Sequence, residues 1–358
     1  MARIDEELRA RNNALNMIGA WEIIEALEAG ESVQFKPEIW HWRDIRPIMI
    51  DAAKRITLAD ANRRVVILSN PGAKQRHHST NTLYVSISIY NPGETAEVHR
   101  HTPNASRFVL EGDGGYTVVE GEKCTMSRGD LIITPAGTWH DHGNDGSAPV
   151  IWVDVLDLPL TESLGNVHFR TDYEERTSPD SARAEQRRLQ TVVHPHDHSQ
   201  NAYGFGGLMP TFLNHARGDS QGSSMFVYRW ENTLRALNNL RQYEGSPYDG
   251  IMLEYINPVD GGPVTTTMGF NVQMLRPNEK TRAHRQTGST SYCCIEGRGA
   301  TVVDGKTMEW GRNDLFVIPS WAAHHHINAS STEDALLYSV TDIPALKKLG
   351  MYREEAAE

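Results

Sequence analysis

Residues 99–144 read "HRHTPNASRFVLEGDGGYTVVEGEKCTMSRGDLIITPAGTWHDHGN". His99 and His101 stand one residue apart, a Thr-Pro-Asn turn follows, and Arg107 then sits inside an apolar run. The remainder breaks into short β-rich runs, RFVLEG, GYTVVEGE and DLIITPAG, cut by Gly, Pro, Asn and Asp. Strands at this spacing indicate an antiparallel barrel or sandwich. The Glu-Gly pair in VVEGEKC reads as a hairpin turn. Residues 284–328, "HRQTGSTSYCCIEGRGATVVDGKTMEWGRNDLFVIPSWAAHHHIN", lie over this stretch as an ungapped copy. His284 falls on His99, Gln286 on His101, Gly297 on Gly112, Asp314 on Asp130, Pro319 on Pro135 and His324 on His140. Two copies of one small β-barrel account for landmarks kept in such order.

Outward from this core, RRVVILSN and LYVSISIY precede the first copy and PVIWVDVLDL follows it. FNVQMLRPNE and ALLYSVTD bracket the second. Near the start, Ala14, Met17, Ile18, Trp21 and Ile24 fall at helical spacing, with Gly30 as a stop. A second amphipathic helix opens near Pro47 and carries Ile48, Met49, Ala52 and Ile56 on one face. The expected organisation is mainly β: a helical arm over 1–60, a first barrel over 61–160, a polar connecting region over 161–245, a second barrel over 246–345 and a tail over 346–358.

The composition, 39% hydrophobic and 23% charged over 358 residues, is that of a soluble globular chain with room for two domains. A net charge of −11 without a run of Lys or Arg argues against nucleic acid or an anionic membrane as partner. The opening MARIDEELRARNN lacks the apolar stretch of a secretion signal, and no apolar run reaches the length of a membrane span. Cys124, Cys293 and Cys294 form neither a CxxC pair nor a disulfide framework, which fits the cytoplasm and a packing role.

On a strand, residues i and i+2 point to one face. His99 with His101, and His140 with His142, therefore turn inward in pairs. Imidazoles converging inside a small barrel suit a divalent first-row metal.

The segment from Gly93 through His99 and His101 to Gly112 resembles the first cupin motif, G-x5-H-x-H-x3-E-x6-G. Gly129, Pro135, Gly137, His140 and Asn144 match the second, G-x5-P-x-G-x2-H-x3-N, at every fixed position. The chain therefore resembles a bicupin, two tandem double-stranded β-helix (jelly-roll-like) barrels. Ala105 stands where the motif has its ligand glutamate. Bicupins without that glutamate include the ring-cleaving dioxygenases of gentisate, salicylate and 1-hydroxy-2-naphthoate, and the likeness extends over most of the chain, including RRVVILSNPG and WVDVLDLP.

This resemblance implies one Fe(II) per chain in the first barrel, held by His99, His101 and His140. It implies a homotetramer that opens an ortho-hydroxybenzoate with O2, of the gentisate 1,2-dioxygenase type. The strand before the first motif often reads Leu/Ile-Gln-Tyr-Leu in the family and here reads Ser86-Ile87-Ser88-Ile89-Tyr90. That departure brings 5-nitrosalicylate, 5-aminosalicylate or salicylate alongside gentisate. A non-enzymatic metal-binding bicupin is the alternative class.

Other residues carry two readings each. Arg107, aimed inward, pairs either with a substrate carboxylate or with Glu111 or Asp154. Arg63 occupies the place of a substrate-pocket arginine in the family, or else is a solvated strand end. His142 is an acid or base toward the substrate, or a structural histidine. Asp154 orients a ligand histidine, contacts the substrate or pairs with an arginine. Tyr84, Ser86 and Ser88 share a strand face that can line the pocket. In the second copy Gln286, Thr290, Asn278, Asn313 and Trp321 replace motif residues, so a metal-free structural barrel is expected. The histidines of 324–326 and of HPHDH at 194–198 lack a convergent frame and read as loop or incidental residues.

Overall fold

The computed structural model describes residues 6–15, 17–18, 35–61, 63–75, 77–171, 173, 194–213, 215 and 221–357. The chain divides into two units, Met1–Gln34 and Phe35–Glu358. In the first, Glu6–Ala14 is a polar helix, and Met17 and Ile18 lie beyond its end. Trp21, Ile24 and Gly30 fall outside the described residues. No helix among the described residues is long and apolar enough to cross a membrane.

The second unit holds two copies of the same strand set. In the first, strands Val65–Ile67, Tyr84–Tyr90, Val150–Leu156, Ala105–Glu111 and Leu131–Thr134 lie side by side in that order. Gly115–Val119 pairs with Glu122–Met126 and with His140–Asn144 in a second layer. The second copy repeats this with Ile251–Tyr255, Gly269–Leu275, Ala335–Thr341, Thr290–Glu296 and Leu315–Ile318. Glu120-Gly121 and Asp304-Gly305 are the matching hairpin turns, all four residues with positive φ. The copies are not ungapped. Asp113-Gly114 stand between Gly112 and Gly115, whereas only Arg298 separates Gly297 from Gly299, so the second turn is one residue shorter.

The central strands of each large sheet are buried on both faces, and strand alternation sorts their residues. Val85, Ile87 and Ile89, with Phe108, Leu110, Ile151, Val153 and Val155, face the second copy and meet Phe270, Val272, Tyr338 and Val340 in one core. Phe108 stacks on Tyr338 with centroids 4.2 Å apart. The opposite parity, Ser86, Ser88, Arg107 and Asp154 among it, turns into the barrel.

Two strand–helix units tie the copies together crosswise. The strand Glu38–Trp40 joins the sheet of the second copy beside Leu315–Ile318. The helix Trp42–Arg55 that follows it sends Ile45 and Met49 into the shared core. Conversely, Val227–Tyr228 joins the first copy beside Leu131–Thr134 and leads into the helix Trp230–Leu240. The repeated aspartates hold both junctions. Asp314 accepts from the Trp42 backbone N–H (2.7 Å), and Asp130 from that of Trp230 (2.8 Å). Sequence patterning places residues 38–40 in a helical arm and 227–240 in an irregular connection, and it misses this exchange. It also opens the first of these helices near Pro47. The Asp314 anchor starts the helix at Trp42 instead and leaves Ile48 and Ile56 exposed at 56% and 43%.

Two of the three replaced motif glycines sit in open space, whereas Gly129, which is Asn313 in the second copy, packs against Trp230. Gly93 and Gly137 both take a left-handed φ of 76°, and each has open space where a side chain would begin. Asn278 (59°) and Trp321 (65°) keep that backbone in the second copy. Gly112 and Gly297 are glycine in both copies because a Cβ there would strike the carbonyls of Pro149 and Asp334.

Truncating the stacked pair tests the shared core. Tyr338→Ala should lower unfolding stability by about 3–5 kcal/mol, read as a lower urea midpoint in equilibrium denaturation.

Candidate metal centre

His99 and His140 face each other across an antiparallel bridge and exchange backbone hydrogen bonds of 2.9 Å in both directions. His101 lies two residues on, and its carbonyl accepts from Gly137 (2.9 Å), whose left-handed turn sets the approach to His140. The rings converge: centroids are 4.1 Å apart for His99–His140, 4.8 Å for His101–His140 and 5.7 Å for His99–His101. Each of the three gives its Nδ1 to a backbone carbonyl, His99 to Glu97 (2.8 Å), His101 to Pro103 (2.8 Å) and His140 to Thr138 (2.9 Å). A carbonyl only accepts, so each Nδ1 carries the proton and each Nε2 keeps its lone pair. Burial first, and then the nearby arginines and histidines, push His99 down to about 2, His101 to about 4 and His140 well below the ordinary imidazole value. All three are therefore neutral at physiological pH and fit to bind a cation. His140 Nε2 is buried without a partner, an uncompensated acceptor that a metal would satisfy.

His142 also lies close, and one ligand-type nitrogen each of His99, His140 and His142 falls within 4.8 Å of the others. Its hydrogen bonds set it apart. Nε2 is 2.8 Å from Arg107 Nη2, and Nδ1 is 3.1 Å from Thr117 Oγ1. Arginine only donates, so Nε2 is the acceptor and Nδ1 bears the proton. With its lone pair already occupied, His142 is a weaker ligand candidate than His101.

The other predicted residues gather in the same cavity, of about 220 Å³. Tyr84, Ser86, Ser88, Ala105, Arg63, Arg107, His142 and Asp154 all line it. Ala105 offers no donor at the glutamate's position. Arg107 is held internally: Nη1 donates to Thr134 Oγ1 (2.5 Å) and Nε lies 3.3 Å from Asp154 Oδ1, an ion pair without hydrogen-bond geometry. Glu111 is not its partner, since it binds Arg46 at 2.6 Å. Asp154 orients no histidine. Its oxygens accept from Ser88 Oγ (2.5 Å) and Trp152 Nε1 (3.0 Å). Arg63 differs from Arg107. Among the described residues no acid pairs with it, its Nε is buried without a partner, and its guanidinium lies 5.1 Å from the Phe169 ring centre. Ser86 Oγ is likewise buried and unpartnered.

Phe169 escapes sequence reasoning. It stacks on His99 (5.4 Å) and His101 (6.2 Å) and pairs through its backbone with the strand Arg100–His101. With Leu158 it forms an apolar wall to which Val167 also belongs, and both Phe169 and Val167 come from a stretch that reads as polar and irregular. A larger, mostly apolar cavity of about 470 Å³ lies elsewhere, but its Arg229 is bound to Asp130 and it gathers no histidine set.

The cupin-domain family matches residues 86–156 and 271–341. The chain is 37% identical to a 5-aminosalicylate 1,2-dioxygenase from Comamonas sp over 95% of this chain and 87% of that one. It is 34% identical to a gentisate 1,2-dioxygenase from Aquipseudomonas alcaligenes, over 98% and 95%. This chain belongs to the bicupin ring-cleaving dioxygenases. A crystal structure of salicylate 1,2-dioxygenase from Pseudoaminobacter salicylatoxidans with gentisate superposes on this dioxygenase with a TM-score of 0.85 at 29% identity, covering 99% of this chain and 96% of that one.

The second barrel of the dioxygenase keeps His284 and His324 with centroids 4.5 Å apart. Gln286, in the place of His101, accepts instead from Tyr352 Oη (3.3 Å). His326 is not a loop residue. Strand alternation buries it beside His324, with Nδ1 2.8 Å from Thr301 Oγ1, as His142 is placed beside Thr117. HPHDH likewise does not stay loop throughout, since His198 opens the helix His198–Tyr203.

Metal analysis separates the candidates. His101→Ala should lose bound divalent metal, whereas His142→Ala and His284→Ala should retain wild-type stoichiometry, measured by plasma mass spectrometry after gel filtration.

Proposed function

We propose that this dioxygenase binds one Fe(II) through His99, His101 and His140 and opens an ortho-hydroxybenzoate between its carboxyl- and hydroxyl-bearing carbons, inserting both atoms of O2. One observation carries the reading: three imidazoles with locked tautomers converge beside a cavity that also holds an arginine to which no acid pairs among the described residues. Iron would supply the one-electron chemistry that lets a singlet aromatic ring react with triplet oxygen. Three neutral ligands leave its charge undiminished and positions open, which a fourth, anionic side chain at Ala105 would not.

The protein's own groups then bind and orient. Arg63 takes the substrate carboxylate, because Arg107 is already balanced by Asp154. Phe169, Leu158 and Val167 cover the ring and exclude water. His142 Nε2, once its hydrogen bond from Arg107 Nη2 gives way, accepts the proton of the substrate hydroxyl, while Thr117 holds Nδ1–H and fixes the ring. Asp154 keeps Arg107 in place through that exchange. Tyr84, Ser86 and Ser88 line the cavity wall.

Gentisate is the first substrate we assign. A 5-amino in place of the 5-hydroxyl group is the second reading, favoured by the 37% identity to a 5-aminosalicylate 1,2-dioxygenase and by the unpartnered Ser86 hydroxyl.

Oxygen uptake by the anaerobically iron-loaded protein should be equimolar with gentisate or 5-aminosalicylate consumed. No uptake with these, 5-nitrosalicylate or salicylate would refute ring cleavage and favour the non-enzymatic class. Arg63→Met should raise KM about 10- to 100-fold, the loss of a charged hydrogen-bonded contact.

A further inference from the structure

A second constellation of metal-ligating side chains lies outside the cavity. His77, His78 and Glu162 each offer one ligand atom, all within 4.8 Å of one another. His77 Nε2 is 3.0 Å from both Glu162 oxygens, and His78 Nε2 is 2.9 Å from Oε2. The imidazoles meet edge to face, with centroids 4.6 Å apart and planes at 87°. Two adjacent residues thus turn the same ring nitrogen toward one carboxylate. A tetrahedral zinc with ligands at about 2.0–2.2 Å would space them roughly 3.3 Å apart, close to the separations seen here. All three side chains are partly open to solvent, at 33%, 17% and 36%, so a fourth position can hold water.

The backbone around the cluster is pre-set. The carbonyl of His78 accepts from Asn70 N (3.0 Å), and Asn70 also binds Lys36, Ser79 and Gly72. Glu162 lies on the helix Leu158–Ser163, which follows Asp157, a carboxylate that accepts from Asn104 N (2.7 Å) and Asn104 Nδ2 (3.0 Å). The donor set, two imidazoles and a carboxylate, is that of borderline divalent ions, zinc above all.

We propose that His77, His78 and Glu162 form a peripheral zinc-class site, separate from the histidine triad. The site joins two walls of the cavity. The loop carrying the histidines runs into the strand of Tyr84, Ser86 and Ser88, and the helix carrying Glu162 begins with Leu158 and leads to Val167 and Phe169. Zinc there clips those walls to each other.

The test adds zinc sulfate to the full-length, iron-loaded enzyme and counts both metals after gel filtration, with thermal melts alongside. One zinc per chain should bind with iron unchanged, and the melting temperature should rise. Glu162→Gln and the double variant His77→Ala/His78→Ala should lose the zinc and the zinc-dependent rise. Both should keep their iron and, because an exposed pair contributes little, a near-normal melt without zinc. Zinc retained in both variants, no zinc bound by the wild type, or zinc gained only as iron is lost would overturn the assignment. Should the variants not fold, anomalous scattering at the zinc edge from wild-type crystals decides: a peak between the three side chains supports the site, and its absence there refutes it. Because the readout is zinc against constant iron, failure here is distinct from failure of the ring-cleavage reading.

Discussion

Everything in the larger unit rests on two sheets packed back to back. Phe108 against Tyr338 marks the centre of an apolar layer drawn from both copies. Because that layer takes one parity of every central strand, the other parity is released from core duty and can be polar. A shift of one residue in Ala105–Glu111 would send Arg107 into the shared core and Phe108 into the cavity, and one in Val150–Leu156 would send Asp154 into the core. Register is therefore fixed by the hydrophobic layer, and the chemistry inherits its positions from that register.

The crosswise strand–helix units make the two copies inseparable. Glu38–Trp40 completes the sheet of the second copy and Val227–Tyr228 that of the first, and each junction is anchored by an aspartate from the repeat. This gives the second barrel a task that needs no metal. It supplies half the layer against which the first barrel's strands are aligned. The retained His284 and His324 sit where the repeat places them, and Gln286 turns toward Tyr352 rather than toward a shared centre.

Within the first barrel, polar groups are arranged by how fully their valences are used. Arg107, His142, Asp154, Ser88, Trp152, Thr117 and Thr134 form one linked network, in which Arg107 Nε makes an ion pair with Asp154 but no hydrogen bond. His140 Nε2, Arg63 Nε and Ser86 Oγ have no partner. Buried polar atoms left alone are costly; Arg63 and Ser86 line one cavity, and His140 adjoins that cavity's His99 and His101. A ligand bound there would satisfy what folding alone leaves unsatisfied, whereas the network groups already hold partners within the protein.

The duplication, the inward pairs His99/His101 and His140/His142, and the loss of a ligand at Ala105 are all legible in the chain, because local alternation and fixed motif spacing encode them. So is the common face of Tyr84, Ser86 and Ser88. The matching of Arg107 by Asp154, with no acid paired to Arg63 among the described residues, emerges only on folding, since neither outcome is written in the local sequence. Folding also brings Phe169 over the histidines, exchanges residues 38–55 and 227–240 between the copies, and sets Glu162 beside His77 and His78. Those are meetings between segments far apart in the chain. Their energies come from which surfaces are buried together, and no local pattern of residues carries that information.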